Sequence, residues 1–501
     1  MELFWILLGV FVLYARTWIG KDRHYYIIDD NVRRWGYLYD IPQSSPPADF
    51  YSTKPHPWRH FFLSFTHCLN VWVIYELFGW QVAALFAFSP ISVNGTAWIT
   101  GGYYAVTMFL TLTSYYFITN FPGVFGIIMG SLFFTASLGS TITCIGVPFV
   151  LANTAGFALF GPLTMYLIGK RFRTGFNIRN MGKKDIITFR KIAVMTKVMA
   201  YYIKLCLFPY RLAFFRSFGY NYIRNDKAKK EMDSFNKLFW QSLGIIGLFI
   251  AIGWQFSPLG TIWFLITLAP FTQFKVLGQF VAERYLYLPQ IGIYLIIANV
   301  LSNYPHAFIA LITLYIYRSH LYIPSFKSIT NLYKNGIQND PQCISNYANL
   351  GERYLHLKQT QRALRLFQDG LKIDNMDFLC HTNLAAYWIS VKSYHMALFH
   401  TSMACQDKNN PIANRILPNQ YNNLVTTINN INTEKLRQQK EKEKEKKKIS
   451  INPYLIPVNT GDNNVQHIQS RYIVRPEEKM AGKSELSILS MPEQPAVPVC
   501  S

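Results

Sequence analysis

Residues 24–37 read HYYIIDDNVRRWGY and set two adjacent carboxylates, Asp29 and Asp30, behind an apolar, strand-like stretch. Arg33 and Arg34 follow three to five residues later. A carboxylate at a membrane surface can take the proton of an attacking hydroxyl and so raise its nucleophilicity. A neighbouring arginine can bind phosphate or hold the acid ionised. An Asp-Asp pair is equally a common turn former, so the pair alone leaves both readings open. Its setting adds weight, because polar groups inside apolar segments are costly and concentrate at functional sites. Such groups recur here: His60, His67 and Asn70 in one run, Asn94 beside Trp98 in the next, Lys204 and Arg211 in a later one, and Glu283 with Arg284 at the outer edge of another. Singly they read as an interhelical hydrogen bond (His67 or Asn70) or a local ion pair (Glu283 with Arg284). Together they describe a cavity bearing acids and cations.

The elements that must position them are apolar. Of 501 residues, 50% are hydrophobic, 16% aromatic and only 15% charged, with a mean hydropathy of +0.11. Soluble domains carry roughly 25% charged residues, which argues against an ordinary cytosolic enzyme. Runs long enough for spanning helices occupy 2–19, 60–79, 81–99, 103–120, 121–138, 141–168, 193–214, 239–256, 258–274, 285–303 and 304–319. These predict an all-α, polytopic helical bundle of about 11 spans over residues 1–319, with an external loop at 20–59. The first run lacks a basic start and a cleavage site and reads as a retained anchor. The net charge of +22, from 49 basic and 27 acidic residues, fits membrane-protein loops better than a nucleic-acid surface. Loop 169–192 holds eight Lys/Arg against the single acid Asp185, which predicts a cytoplasmic loop. Counting from it puts the N-terminus in the cytoplasm and residues 320–501 outside. Segment 215–237 then falls outside although it is net positive, with Arg216, Arg224 and four lysines. Either the span count is wrong or these cations face the phosphate of a lipid-linked substrate. Seven cysteines without regular spacing give neither a disulfide framework nor a zinc pattern.

Residues 320–411 take on a period of 34. Tyr347, Leu350, Gly351, Tyr354, Ala363, Phe367 and Gly370 fall where a tetratricopeptide (TPR) repeat sets its close contacts. A shift of 34 gives His381, Leu384, Ala385, Trp388, Ala397, Thr401 and Ala404. Ile329, Tyr333 and Gly336 match a preceding partial unit. This predicts a short α-solenoid of about two and a half repeats, which must lean on the bundle or a partner because roughly three are needed to bury a core. Residues 412–448 predict a charged helical or flexible segment, and 449–501 a disordered tail.

Several motifs in this order resemble one known family. They are the acid pair after the first run, H-x6-H-x2-N at 60–70, P-x2-V-x3-A-W-x2-G at 90–101, Y-Y-x-K-L-x-L-F-P at 201–209, A-E-R-Y-L-Y-L-P at 282–289 and the trailing repeats. Over residues 1–410 the chain resembles the GT-C membrane glycosyltransferases, in particular the transmembrane and TPR O-mannosyltransferase-like proteins and their bacterial relatives. The resemblance implies transfer of a sugar from a polyprenyl- or dolichyl-phosphate donor to a hydroxyl acceptor on the external face, with inversion. Asp29 or Asp30 would match the catalytic acid. Arg284 would match the position near the lipid phosphate, assisted by Arg211 and Arg216, with Glu283, His67, Asn70, Asn94 and Lys204 in support. The repeats would present acceptor protein. A monophosphate leaving group needs no metal, whereas a pyrophosphate donor would make a divalent ion more plausible; no other cofactor and no nucleic acid are implied. A bacterial inner membrane and an endoplasmic reticulum membrane suit the chain equally. Relatives carry H-P-x-H-x-E and G-R-x-D where this chain has residues 89–94, SPISVN, and 101–104, GGYY. Those missing charges favour a second reading, a non-catalytic membrane-anchored TPR scaffold. A transporter of lipid-linked sugar is a third.

Overall fold

An apolar run can satisfy its own backbone hydrogen bonds only as a helix, and every regular element among the described residues is helical. The computed structural model describes residues 1–20, 24–25, 27, 54–138, 189–218, 226–272, 281–406 and 417–450. The run at 141–168, most of the basic loop 169–192 and the tail from 451 onward lie outside them. The chain divides into two compact units, Met1–Asn383 and Leu384–Ser501.

The first unit opens with α1 (Glu2–Tyr14) and α2 (Pro57–Phe78). Pro57 begins α2 where a missing N–H costs nothing, and Gly79, at φ +87°, ends it. The run expected to cross as 81–99 is instead broken into α3 (Trp80–Phe88) and the five-residue α4 (Val93–Ala97). Pro90 cannot continue a helix, and three carbonyls at the end of α3 need donors. Ser92 Oγ donates to the Phe86 carbonyl at 3.2 Å, His67 Nε2 to Ala87 at 3.2 Å and Ser319 Oγ to Phe88 at 2.8 Å. The broken end is thereby fixed in the interior.

Next come α5 (Gly102–Asn120), α6 (Val124–Leu138), α7 (Phe189–Leu207), α8 (Asp226–Asp233), α9 (Lys237–Phe256), α10 (Pro258–Leu268), α11 (Gln290–Val300) and α12 (Pro305–Tyr322). Helices α10 and α11 touch backbone to backbone: a Cβ on Gly260 would lie 2.5 Å from the Gly292 carbonyl, and one on Gly292 2.3 Å from that of Gly260. Small residues permit such crossings. In α7, the buried Lys197 ammonium donates to the carbonyls of Glu231, Met232 and Ser234 at 2.8, 3.0 and 2.8 Å, sealing the end of α8. Among the described residues, two helices, α2 and α9, are long and apolar enough to cross a membrane. On α9, Trp240, Leu248 and Trp254 face outward, as do Phe4, Trp5 and Val12 on α1.

Beyond α12 the helices shorten to α13 (Ile329–Asn339), α14 (Ile344–His356), α15 (Thr360–Ile373) and α16 (Phe378–Ser390), on which the division between units falls. Ile329, Leu332 and Tyr333 of α13 share the bundle's core. Helices α14 and α15 meet where Gly351 leaves room for the Phe367 ring, 2.3 Å from where a Cβ would stand. Ile344, Ala348 and Cys380 tie α14 to the start of α16. The period of 34 is visible in the backbone itself. Lys358 and Lys392 both take left-handed φ, +58° and +61°, at turns closed by Gln359 N to Tyr354 O and Ser393 N to Trp388 O. Asp340 and Asp374 likewise donate their N–H to Gly336 and Gly370.

The second unit adds α17 (Tyr394–Cys405) and α18 (Leu417–Ser450). Tyr421, Leu424 and Ile428 of α18 are buried, whereas every residue from 432 to 445 is exposed. This charged stretch has no apolar face to bury and is held as helix by its own bonds and its Glu/Lys neighbours.

Candidate functional site

The segment A-E-R-Y-L-Y-L-P is the hub of the first unit. Ala282 enters extended, its N–H bonded to Tyr202 OH at 3.2 Å, and a short 3-10 helix, Glu283–Leu286, follows. Sequence reading set Glu283 and Arg284 as a local pair; the structure gives Glu283 a different partner. Glu283 is fully buried, and its cationic partner is Arg216. Its Oε1 accepts from Arg216 Nη2 and from the Ala213 N–H at 2.9 Å, and its Oε2 from Tyr322 OH at 2.6 Å. A buried carboxylate is tolerable only with such partners. Arg216 also donates to Tyr201 OH at 2.8 Å and to the Arg211 carbonyl at 2.9 Å. Burial works against its charge, but Tyr201 and Glu283 outweigh this and raise its pKa. Arg216 is therefore committed to Glu283 rather than presented to a donor phosphate.

Arg284 lies among aromatic rings. Its guanidinium carbon is 5.6 Å from the Trp98 ring centroid, 5.4 Å from Phe214 and 5.0 Å from Tyr285. Ring faces attract a cation electrostatically. Trp98 and Phe214 meet edge to face at 4.9 Å, and Tyr285 stacks on Phe271 at 4.6 Å, which holds the cage together.

The chain leading to the acid pair runs to the same place. His24 N–H bonds Thr17 O at 3.0 Å, Tyr25 N–H bonds Lys327 O at 2.8 Å, and Ile27 is buried in the core. The His24 ring stands edge-on to His60, 5.6 Å between centroids, and the backbone of Ala97 is near enough to act on it. Burial, then the neighbouring His60, hold the His24 imidazole well below its ordinary pKa, so it is neutral. Ala97 and Trp98 are consecutive: the first meets His24, the second lies under Arg284. Asp29 and Asp30 themselves, with Arg33 and Arg34, lie outside the described residues.

The remaining candidates separate. His67 gives Nε2–H to the Ala87 carbonyl, a pure acceptor, which leaves Nδ1 to accept from Tyr287 OH at 2.7 Å. Asn70 donates to Thr66 O and Ala105 O at 3.0 and 2.9 Å. Both are interhelical ties. Asn94 is fully buried in α4, and neither of its amide atoms has a partner among the described residues. Lys204 and Arg211 are exposed. Ser89 and Ser92 serve Gln290: Ser89 Oγ donates to its Oε1 at 2.9 Å, and its Nε2 donates to Ser92 Oγ at 3.0 Å. Sequence reasoning missed Tyr322, Phe214 and Tyr285 as the shell of Glu283 and Arg284, and Lys197 altogether. For Tyr285 alone there was a signal, its place in the quoted motif. No protein-family model, curated protein or solved structure matches the chain.

Proposed function

We propose that this protein is an integral membrane glycosyltransferase of GT-C type with a TPR-like array. It moves a sugar from a polyprenyl- or dolichyl-phosphate to a protein or glycan hydroxyl. The observation that carries the reading is the adjacency of Ala97 and Trp98, where the chain five residues ahead of Asp29 comes to Ala97, the neighbour of the residue beneath Arg284. An acid and a phosphate-binding cation at one mouth are what the transfer needs. The acceptor hydroxyl loses its proton to Asp29 or Asp30 and attacks the anomeric carbon. The carbon–oxygen bond to the lipid phosphate breaks on the opposite face, so configuration inverts. Charge develops on the departing phosphate, where a preorganised Arg284 is most effective. Glu283, Arg216 and Tyr322 act behind it by holding the 3-10 helix that carries it. The exposed Arg211 remains as a second cation.

The outward apolar side chains of α1 and α9 support a lipid-facing bundle, since soluble monomers rarely expose contiguous apolar patches above a few hundred Å². On this reading the apolar runs make about 11 spans, with the N-terminus cytoplasmic and the repeats on the acceptor side. The test is transfer from dolichyl-phosphate mannose or glucose by membranes carrying the full chain. The double variant Asp29→Asn/Asp30→Asn loses roughly 10²- to 10⁴-fold in rate, the range general-base catalysis supplies, while its level in the membrane is unchanged. Full activity in that variant overturns the assignment. A wild-type chain that consumes no lipid-linked sugar yet gathers partners through its repeats is the scaffold instead.

A further inference from the structure

The non-helical stretch after α7 touches two things at once. Ala213 N–H donates to Glu283 at 2.9 Å, the Phe214 ring lies 5.4 Å from the Arg284 guanidinium, and Arg216 pairs with Glu283. The residues between and beside them face the helical hairpins. Asn335 Nδ2 donates to the Leu212 carbonyl at 2.9 Å, Phe215 stacks on Tyr333 at 6.0 Å, and Asn346 Nδ2 reaches the Phe215 carbonyl at 3.4 Å. Asp340, at the turn between α13 and α14, accepts from the Ser217 N–H at 2.7 Å and from its hydroxyl at 2.7 Å. Residues 213, 214 and 216 thus belong to the Glu283–Arg284 site, and 212, 215 and 217 to the hairpins.

We infer that Leu212–Ser217 is a coupling strap and that Asp340 is a positioning residue for Arg284, acting through it. The hairpin side of the strap is held by charge-assisted bonds and a ring stack, the site side by a buried carboxylate, and six residues are too few to absorb a displacement on one side. A ligand that shifts α13 or α14 therefore shifts Phe214 and Ala213. Coupling between sites is reciprocal, so a change at Glu283 is also felt at Ser217. Acceptor engaging the repeats would in this way adjust the cation that meets the donor; that consequence rests on the transferase reading, whereas the coupling itself does not.

Amide hydrogen exchange on the full-length protein in lipid nanodiscs tests the coupling directly. In Asp340→Ala, exchange at the Ala213 amide, which faces Glu283 on the other side of the strap, rises roughly five- to tenfold, within the usual span of coupling energies. Asp340→Asn retains an acceptor for Ser217 and stays within about twofold of wild type on the same scale. Glu283→Gln in turn speeds exchange at the Ser217 amide. Should Asp340→Ala disturb the hairpin, seen as faster exchange within α15, Ser217→Ala replaces it and shows the same direction with smaller size. An Ala213 amide that keeps its wild-type rate in these variants, while the Ser217 amide speeds up, overturns the strap. In the kinetic arm, Asp340→Ala lowers kcat for transfer several-fold and Asp340→Asn restores it. A wild-type protein without transferase activity sinks the functional reading and leaves the exchange result to decide the coupling.

Discussion

The bundle and the helical hairpins reach order by opposite means. In the bundle, single polar bonds join residues far apart in sequence: His67 with Tyr287, Arg216 with Glu283, Ser89 with Gln290. None repeats, and each ties a different pair of elements. In the hairpins the same local contact recurs 34 residues on, from Gly336 and Asp340 to Gly370 and Asp374, and from Lys358 to Lys392. The two aspartates show where the modes meet. The backbone of each closes the same turn, but the Asp340 carboxylate reaches Ser217 beyond α7, whereas the Asp374 carboxylate turns inward to the Met376 N–H at 3.0 Å. Periodicity builds the array, and departure from it at Asp340 adds one of the bonds that attach the array to the bundle.

The largest blow to the bundle's mode is Glu283→Ala. It strands Arg216 as a buried, unpaired charge and costs about 3–5 kcal/mol, read as a fall in the unfolding midpoint of the purified protein. A loss confined to the surface range, below about 1 kcal/mol, would show that water reaches this pair and that the site is open. For the hairpins the corresponding break is Gly351→Val. Its side chain meets the Phe367 ring, so overpacking costs about 1–3 kcal/mol. The comparison requires that loss to stay local, with exchange rising in α14 and α15 and not in α10 or α11.

The smallest effect is titration. His381, whose Nε2 bonds the Asn375 carbonyl at 2.8 Å, has its pKa lowered, burial being the chief cause, and His24 is lowered further. A base depressed in the folded state binds fewer protons there than in the unfolded chain. Stability from both residues is therefore full above the ordinary value of 6.5 and falls as pH drops below it toward the folded value. His381→Gln flattens the slope of the unfolding midpoint between pH 6.5 and 5 for the hairpins, and His24→Gln does so for the bundle. A slope unchanged in both would mean that neither ring is buried as a neutral base.

How much of this was legible follows from the same division. Among the described residues, helices stand where the apolar runs do, because a run without charges has one way to satisfy its backbone. Leu350, Ala363 and Phe367, picked by period alone, are all buried. Ser89–Pro90 broke a run that looked continuous, and the proline was the visible reason. The partner of Glu283 could not be read: Arg284 is adjacent in sequence, but Arg216, 67 residues away, is adjacent in space. Arg216 and Arg211 looked alike as cations near the end of one segment, yet one is buried and the other exposed. Lys197 gave no signal, because the carbonyls it seals belong to a helix more than 30 residues downstream.

That lysine has a consequence for how the protein would ride in a bilayer. Helix α8 is almost wholly charged, reading DKAKKEMD, and cannot enter hydrocarbon, yet its last carbonyls are clamped to α7 two turns from where α7 begins. On the membrane reading, the clamp acts as a waterline: it sets the level to which α7 can sink and keeps the charged helix floating at one fixed height.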